Sequence, residues 1–156
     1  MLETQDKMVF FGLRAFIQEW LIDYFNENFF NLPIAEVMAK YSCYMNTQIG
    51  RENYDLKDIV DLHRLGHLPL LIRALPEGTL VPMGVPCIEI TNTCPDFAWV
   101  VQFVECLLQV ELWKPCAHAT IGYMYRQEAE KWYSKTVVGA SPDMACADFG
   151  MRGMSC

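Results

Sequence analysis

Two side chains near the end of the chain, Phe149 and Arg152, form the pairing best suited to holding a ligand. They lie three residues apart, on backbone loosened by Gly150 and Gly153. A phenyl face offers stacking area, and a guanidinium offers a planar fork for a carbonyl or carboxylate oxygen. Together they suit a flat, polar heteroaromatic ring. They close an apolar, strand-like stretch from Met144 to Phe149. In βα architectures the carboxyl end of a strand is where ligands are usually held. A plainer reading stands beside this one, and local physics alone favours it: Phe149 belongs to a core and Arg152 simply meets solvent.

Other constellations carry less. His63 and His67 have the four-residue spacing of a helical metal pair, but Arg64 stands where a metalloprotease-type motif needs glutamate. Gly66 is expected to end the helix between them, which leaves capping or surface roles. Cys116 and His118 lack a second ligand pair nearby. The triplet Asp148-Phe149-Gly150 matches the magnesium-binding triplet of protein kinases in letters only. No glycine-rich loop with its strand lysine and no His-Arg-Asp loop accompanies it. Nucleophile elbow, Walker loop and Rossmann fingerprint are also absent.

Composition narrows the class. A chain of 156 residues is long enough for a real core, and 53% hydrophobic with 13% aromatic residues excludes a disordered segment. So much apolar surface implies a partner surface or further sequence to cover it. The net charge of −7 argues against nucleic-acid binding. Seven cysteines, an odd number with no CxxC pair, and no secretory leader point to reduced thiols in the cytoplasm. The stretch from Phe97 to Trp113 is short and carries Gln102, Glu105, Gln109 and Glu111, so it reads as a buried globular helix rather than a membrane span.

The elements that must position the pair follow from periodicity. Val9, Leu13, Phe16 and Trp20 step along an amphipathic helix from Met8 to Phe30, expected to end near Asn26–Asn28. Pro33 opens a second helix to Gln48, stopped by Gly50. Asp55 caps a third, with Ile59, Leu62 and Leu65 inward and Gly66 as its stop. Residues 70–75, 79–82 and 85–91, punctuated by proline and glycine, predict an antiparallel meander whose Glu89 face is the wetter. A nearly fully buried helix begins at Pro95-Asp96 and breaks at Lys114-Pro115. Another runs from Ala117 to Lys135, then a loop leads into a final strand, residues 144–149.

Several stretches together give a specific resemblance. Lys7-Met-Val-Phe-Phe-Gly-Leu13, His67-Leu-Pro-Leu-Leu-Ile-Arg-Ala-Leu-Pro-Glu-Gly78 and Val81-Pro-Met-Gly84 are three of them. Glu89-Ile-Thr-Asn-Thr93 with Trp99, Glu111-Leu-Trp-Lys-Pro115 and Asp148-Phe-Gly-Met-Arg-Gly-Met-Ser155 complete the set. In this order they resemble the nicotinamide phosphoribosyltransferases and their nicotinate-using relatives. The resemblance implies a type II phosphoribosyltransferase, which joins the pyridine nitrogen to the ribose of phosphoribosyl pyrophosphate and expels pyrophosphate, with Mg2+ present. It implies an α+β domain beside an irregular α/β barrel, and sites between the two subunits of a homodimer. Phe149 matches the aromatic that stacks on the pyridine ring, and Arg152 the arginine beside its amide or carboxylate.

Members of that family begin earlier, with an Asp-Ser-Tyr-Lys-type segment, and continue well beyond the position of Cys156. Cys156 itself stands where serine is usual. The expectation is therefore a partial chain of α+β class: helices on a small antiparallel β meander, ending in the first strand of an incomplete α/β barrel. Residues 1–142 would form the α+β domain and residues 143–156 the start of the barrel. The chain alone is expected to be inactive, and a non-catalytic binding or dimerisation module is the rival reading.

Overall fold

The computed structural model describes residues 6–50, 54–137, 139 and 141–144. Strand β1 (Lys7–Val9) leads into α1 (Leu13–Phe16), which widens into π-helical turns over Ile17–Tyr24 and Asn26–Phe30. Helices α2 (Ile34–Gln48) and α3 (Lys57–Leu65) follow, then strands β2 (Leu70–Ala74), β3 (Leu80–Pro82) and β4 (Ile88–Asn92). A short 3-10 turn, Pro95–Phe97, precedes the 37-residue α4 (Val100–Thr136), and a second, Pro142–Met144, closes the described chain. The class is α+β, as expected.

The expected meander is replaced by two separate pairs. β1 pairs antiparallel with β3, and β2 pairs antiparallel with β4. Pro82 and Pro86 remove backbone donors where a continuous meander would need them. The apolar run at Met8–Phe10 supplies β3 with a partner instead. That ladder is lengthened by Phe10 N–H to Thr79 O, Gly78 N–H to Phe10 O and Met83 N–H to Asp6 O. The first helix therefore starts at Leu13, later than its periodicity suggested, because Gly12 turns the chain at φ 100°. It also runs on to Phe30, past the expected end, with Asn31 N–H bonded to Asn26 O across five residues.

The second and third helices stand where expected. Asp55 Oδ1 accepts the Lys57 N–H at 2.9 Å, and Gly66 closes α3 in the left-handed region at φ 77°. Leu62 is buried and Ile59 half-buried, whereas Leu65 meets solvent. Glu89 lies on the wet side of β4, facing Arg73 across the strand pair at 3.4 Å, while Ile88 and Ile90 pack on the core.

The largest correction concerns Pro115, which lies inside α4 instead of ending a helix. Proline there removes one helical N–H and crowds the preceding turn. Three contacts from β1 and the residues after it hold the helix just beyond that point. Val9 N–H donates to Thr120 Oγ1 at 2.9 Å, and Phe11 N–H meets Cys116 Sγ at 3.4 Å. The Cys116 thiol donates to Phe11 O at 3.2 Å. Gly12 sits directly against the Pro115 ring, so close that a Cβ on it would come within 2.6 Å of Cγ. The stem of β1 thus splints the helix at its proline and along the turn that follows it. Residues 97–113 are not fully buried either: Phe103, Val110 and Trp113 stand exposed. Phe10, Phe16, Leu62, Val81, Val100 and Val104 form the core that α4 closes.

Candidate functional site

Phe149 and Arg152 lie outside the described residues, as does all of the expected strand except Met144. Met144 closes a 3-10 turn and so does not begin that strand. What is described is the approach. After α4 the chain turns through Gly139 at φ 79° and comes back along the helix. Arg126 pins it there, pairing with Asp143 and, at 2.6 Å, with Glu130. Hydrogen bonds from Ser141 and Arg126 draw the Asp143 carboxyl below its ordinary range. The carboxylates raise the guanidinium in turn, Glu130 foremost.

The histidines do not assemble a metal site. His63 Nε2 lies 2.9 Å from Leu32 O and its ring stands edge-on to Phe29, whereas His67 Nδ1 lies 3.1 Å from Leu65 O. Gly66 separates them as expected. Cys116 is buried in α4 against Phe11, and burial pushes its thiol above the ordinary 9.0. Among the described residues no cluster of three or more His, Cys, Asp and Glu could hold a metal ion. No described helix is long and apolar enough to cross a membrane.

Sequence reasoning missed a cavity of about 420 Å³ between the π-helical turns, α3 and the start of α4. Phe25, Phe29, Tyr41, Leu62, Trp99 and Phe103 are among its walls, with Asp55 and Asp58 at α3's first turn. Burial chiefly, then the Asp58 carboxylate, raises the Tyr41 hydroxyl above its ordinary 10.0. The buried Trp99 Nε1–H has no hydrogen-bond partner among the described residues. The aromatic richness of residues 20–30 was the available signal. It assigned those rings to a core without showing that the core stays partly open.

The fold so described is a helix-dominated α+β unit whose chain passes, at Met144, toward the glycine-flanked Phe149 and Arg152. No family model matches the chain. Comparison with curated proteins places it among homologues of phosphoribosyltransferases. It is 43% identical over 98% of its length to the nicotinamide phosphoribosyltransferase of Acinetobacter baylyi, of which it covers 30%. It is 29% identical over 96% of its length to the protein of the same name from Xanthomonas campestris pv. campestris, of which it covers 31%. The chain is thus a homologue of proteins named nicotinamide phosphoribosyltransferase and spans about 30% of their length.

Proposed function

We propose that these residues are part of a NAD-salvage phosphoribosyltransferase. The reaction transfers the phosphoribosyl group of phosphoribosyl pyrophosphate to nicotinamide, giving nicotinamide mononucleotide and pyrophosphate. One observation carries this reading: 43% identity to a protein of that name across nearly the whole chain. The order of matching motifs, ending in Asp148-Phe-Gly-Met-Arg-Gly-Met-Ser155, supports it.

In this reading Phe149 stacks on the pyridine ring and Arg152 donates to the oxygen of its amide. Both residues orient the ring nitrogen toward the anomeric carbon and move no proton. The rest of catalysis is electrostatic stabilisation of an oxocarbenium-like ribose and of the departing pyrophosphate. Mg2+ would lower the charge of that pyrophosphate, held by the phosphates and by groups other than the described side chains. Residues 1–142 act as the α+β domain and residues 143–156 open the barrel. The working form is a cytoplasmic homodimer, and the 156 residues alone turn over no substrate. A nicotinate-using homologue is the alternative in substrate. A non-catalytic assembly module is the alternative in class, favoured by the exposed apolar residues of α4.

The test expresses the whole gene product carrying this sequence and follows mononucleotide formation from phosphoribosyl pyrophosphate and Mg2+, with nicotinamide or nicotinate. Nicotinamide mononucleotide is the expected product. Phe149→Ala should raise the nicotinamide KM about tenfold, the worth of one aromatic stacking contact. Arg152→Ala should raise it about 10- to 100-fold, the worth of a charged hydrogen bond. Absence of product, or both variants behaving as the parent, would overturn the proposal.

A further inference from the structure

Five aromatic rings, those of Phe25, Phe29, Tyr41, Trp99 and Phe103, stand in the wall of the cavity beside α3. Phe25 and Phe29 meet edge-on at 74°, and Trp99 and Phe103 at 89°, so the wall turns corners instead of stacking flat. The turns that bring Phe25 and Phe29 here are the uncommon π form, which recurs at functional sites. The π-helical turns, α2, α3 and the start of α4 all contribute, so one chain shapes the space. Its volume of about 420 Å³ falls within the size of small-molecule sites, roughly 300–1,000 Å³. It well exceeds the roughly 150 Å³ that holds a benzene molecule.

The polar groups of the wall are few and of one sign. Among the described residues its charged members are Asp55 and Asp58, at the first turn of α3. Neither carboxylate forms an ion pair with a described residue, and Lys57, between them in sequence, pairs with Asp61 instead at 2.7 Å. Asp55 spends one oxygen on the Lys57 N–H. The Asp58 charge reaches the Tyr41 hydroxyl across the wall. Otherwise the wall side chains are hydrocarbon and indole, and the Trp99 N–H is itself buried, so a ligand meets the ring and not the donor. The cavity therefore offers π faces within and negative charge at α3, with no side-chain acceptor among the rings save the Tyr41 hydroxyl.

We propose that this cavity binds an organic cation whose charge sits on a quaternary ammonium and whose body is an aryl or alkyl group. Such a cation is drawn to ring faces and to carboxylates and needs no hydrogen bond. A lysine or arginine side chain from further sequence would bring several N–H donors, which the ring walls leave largely unsatisfied. An apolar side chain would fill the space among the rings and draw nothing from Asp55 and Asp58. The inference is independent of the reaction proposed above and is read by heat of binding, not turnover.

Isothermal titration of the whole gene product carrying this sequence with benzyltrimethylammonium chloride tests it. The cation should bind with a Kd of about 1 mM or tighter, as its small size allows. Phenylacetate, similar in bulk and opposite in charge, should bind at least about tenfold more weakly. Asp58→Asn removes a charge from the wall and should weaken the cation about two- to fivefold. Phe103→Leu keeps apolar bulk but loses the π face, and should weaken it about three- to tenfold. Both side chains are exposed, so the circular dichroism of each variant should match the parent. No binding up to about 10 mM cation would overturn the proposal, whether the rings reject the cation or further sequence already fills the space. Phenylacetate binding equally well, or either variant binding as tightly as the parent, would overturn it too.

Discussion

Replacing Gly12 by alanine tests the splint between β1 and α4 most directly. Gly12 sits at φ +100°, where an L side chain is strained by about 1–2 kcal/mol. Its added Cβ would meet Pro115 Cγ at 2.6 Å and Cβ at 2.8 Å, well inside contact distance. Pro115 cannot swing aside, because its ring is part of the helix backbone. Overpacking of this kind costs about 1–3 kcal/mol, so Gly12→Ala should lose about 2–5 kcal/mol in all. Against a total of roughly 5–15 kcal/mol that is a large fraction. Gly78→Ala is the control, since Gly78 also has a positive φ, +87°, but nothing lies within 4 Å of its would-be Cβ. It should cost only the backbone part, about 1–2 kcal/mol. Urea unfolding followed by far-ultraviolet circular dichroism measures both. If Gly12→Ala proves no worse than Gly78→Ala, the close approach to Pro115 is not what holds the helix.

Three further outcomes are expected. Thr120→Val keeps the shape but strands the buried Val9 N–H, costing about 1–3 kcal/mol and speeding amide exchange at Val9, which native-state hydrogen exchange would detect. Glu77→Ala removes the acceptor of the Gly12 and Arg14 N–H groups at 3.1 and 2.9 Å and should cost about 1 kcal/mol in the same unfolding assay. Burial raises both the Cys116 thiol and the Tyr41 hydroxyl, so the fold favours their neutral forms. Stability is complete below the ordinary values of 9.0 and 10.0 and falls as pH rises through the raised ones. Denaturation midpoints between pH 7 and 11 should decline above about pH 9, and less steeply in Cys116→Ala.

Helices α2 and α3 were legible because their signals are local: Pro33 at one start, Asp55 at another, and glycine just past each end. The face of the first helix was legible for the same reason, with Leu13 and Phe16 buried and Arg14, Gln18 and Glu19 exposed. Long-range choices were not. Nothing near Met8 shows that it pairs with Val81, a partner more than seventy residues away. Pro115 reads as a helix breaker until Gly12, Cys116 and Thr120 are seen to meet around it. As for the candidate site, residue types carried the idea of ring and guanidinium, and Phe149 and Arg152 lie outside the described residues. The aromatic cavity beside Trp99 was invisible because periodicity distinguishes an apolar face from a polar one but not a filled core from an open one.

The bond from Val9 to Thr120 also bears on how the protein is made. Its donor and acceptor are 111 residues apart, so β1 leaves the ribosome well ahead of Thr120. At roughly 5–20 residues per second, the strand waits about 6–22 s for the hydroxyl that completes it. During that interval Met8, Val9, Phe10 and Phe11 form a bare apolar tract on a nascent chain, the kind of segment chaperones bind.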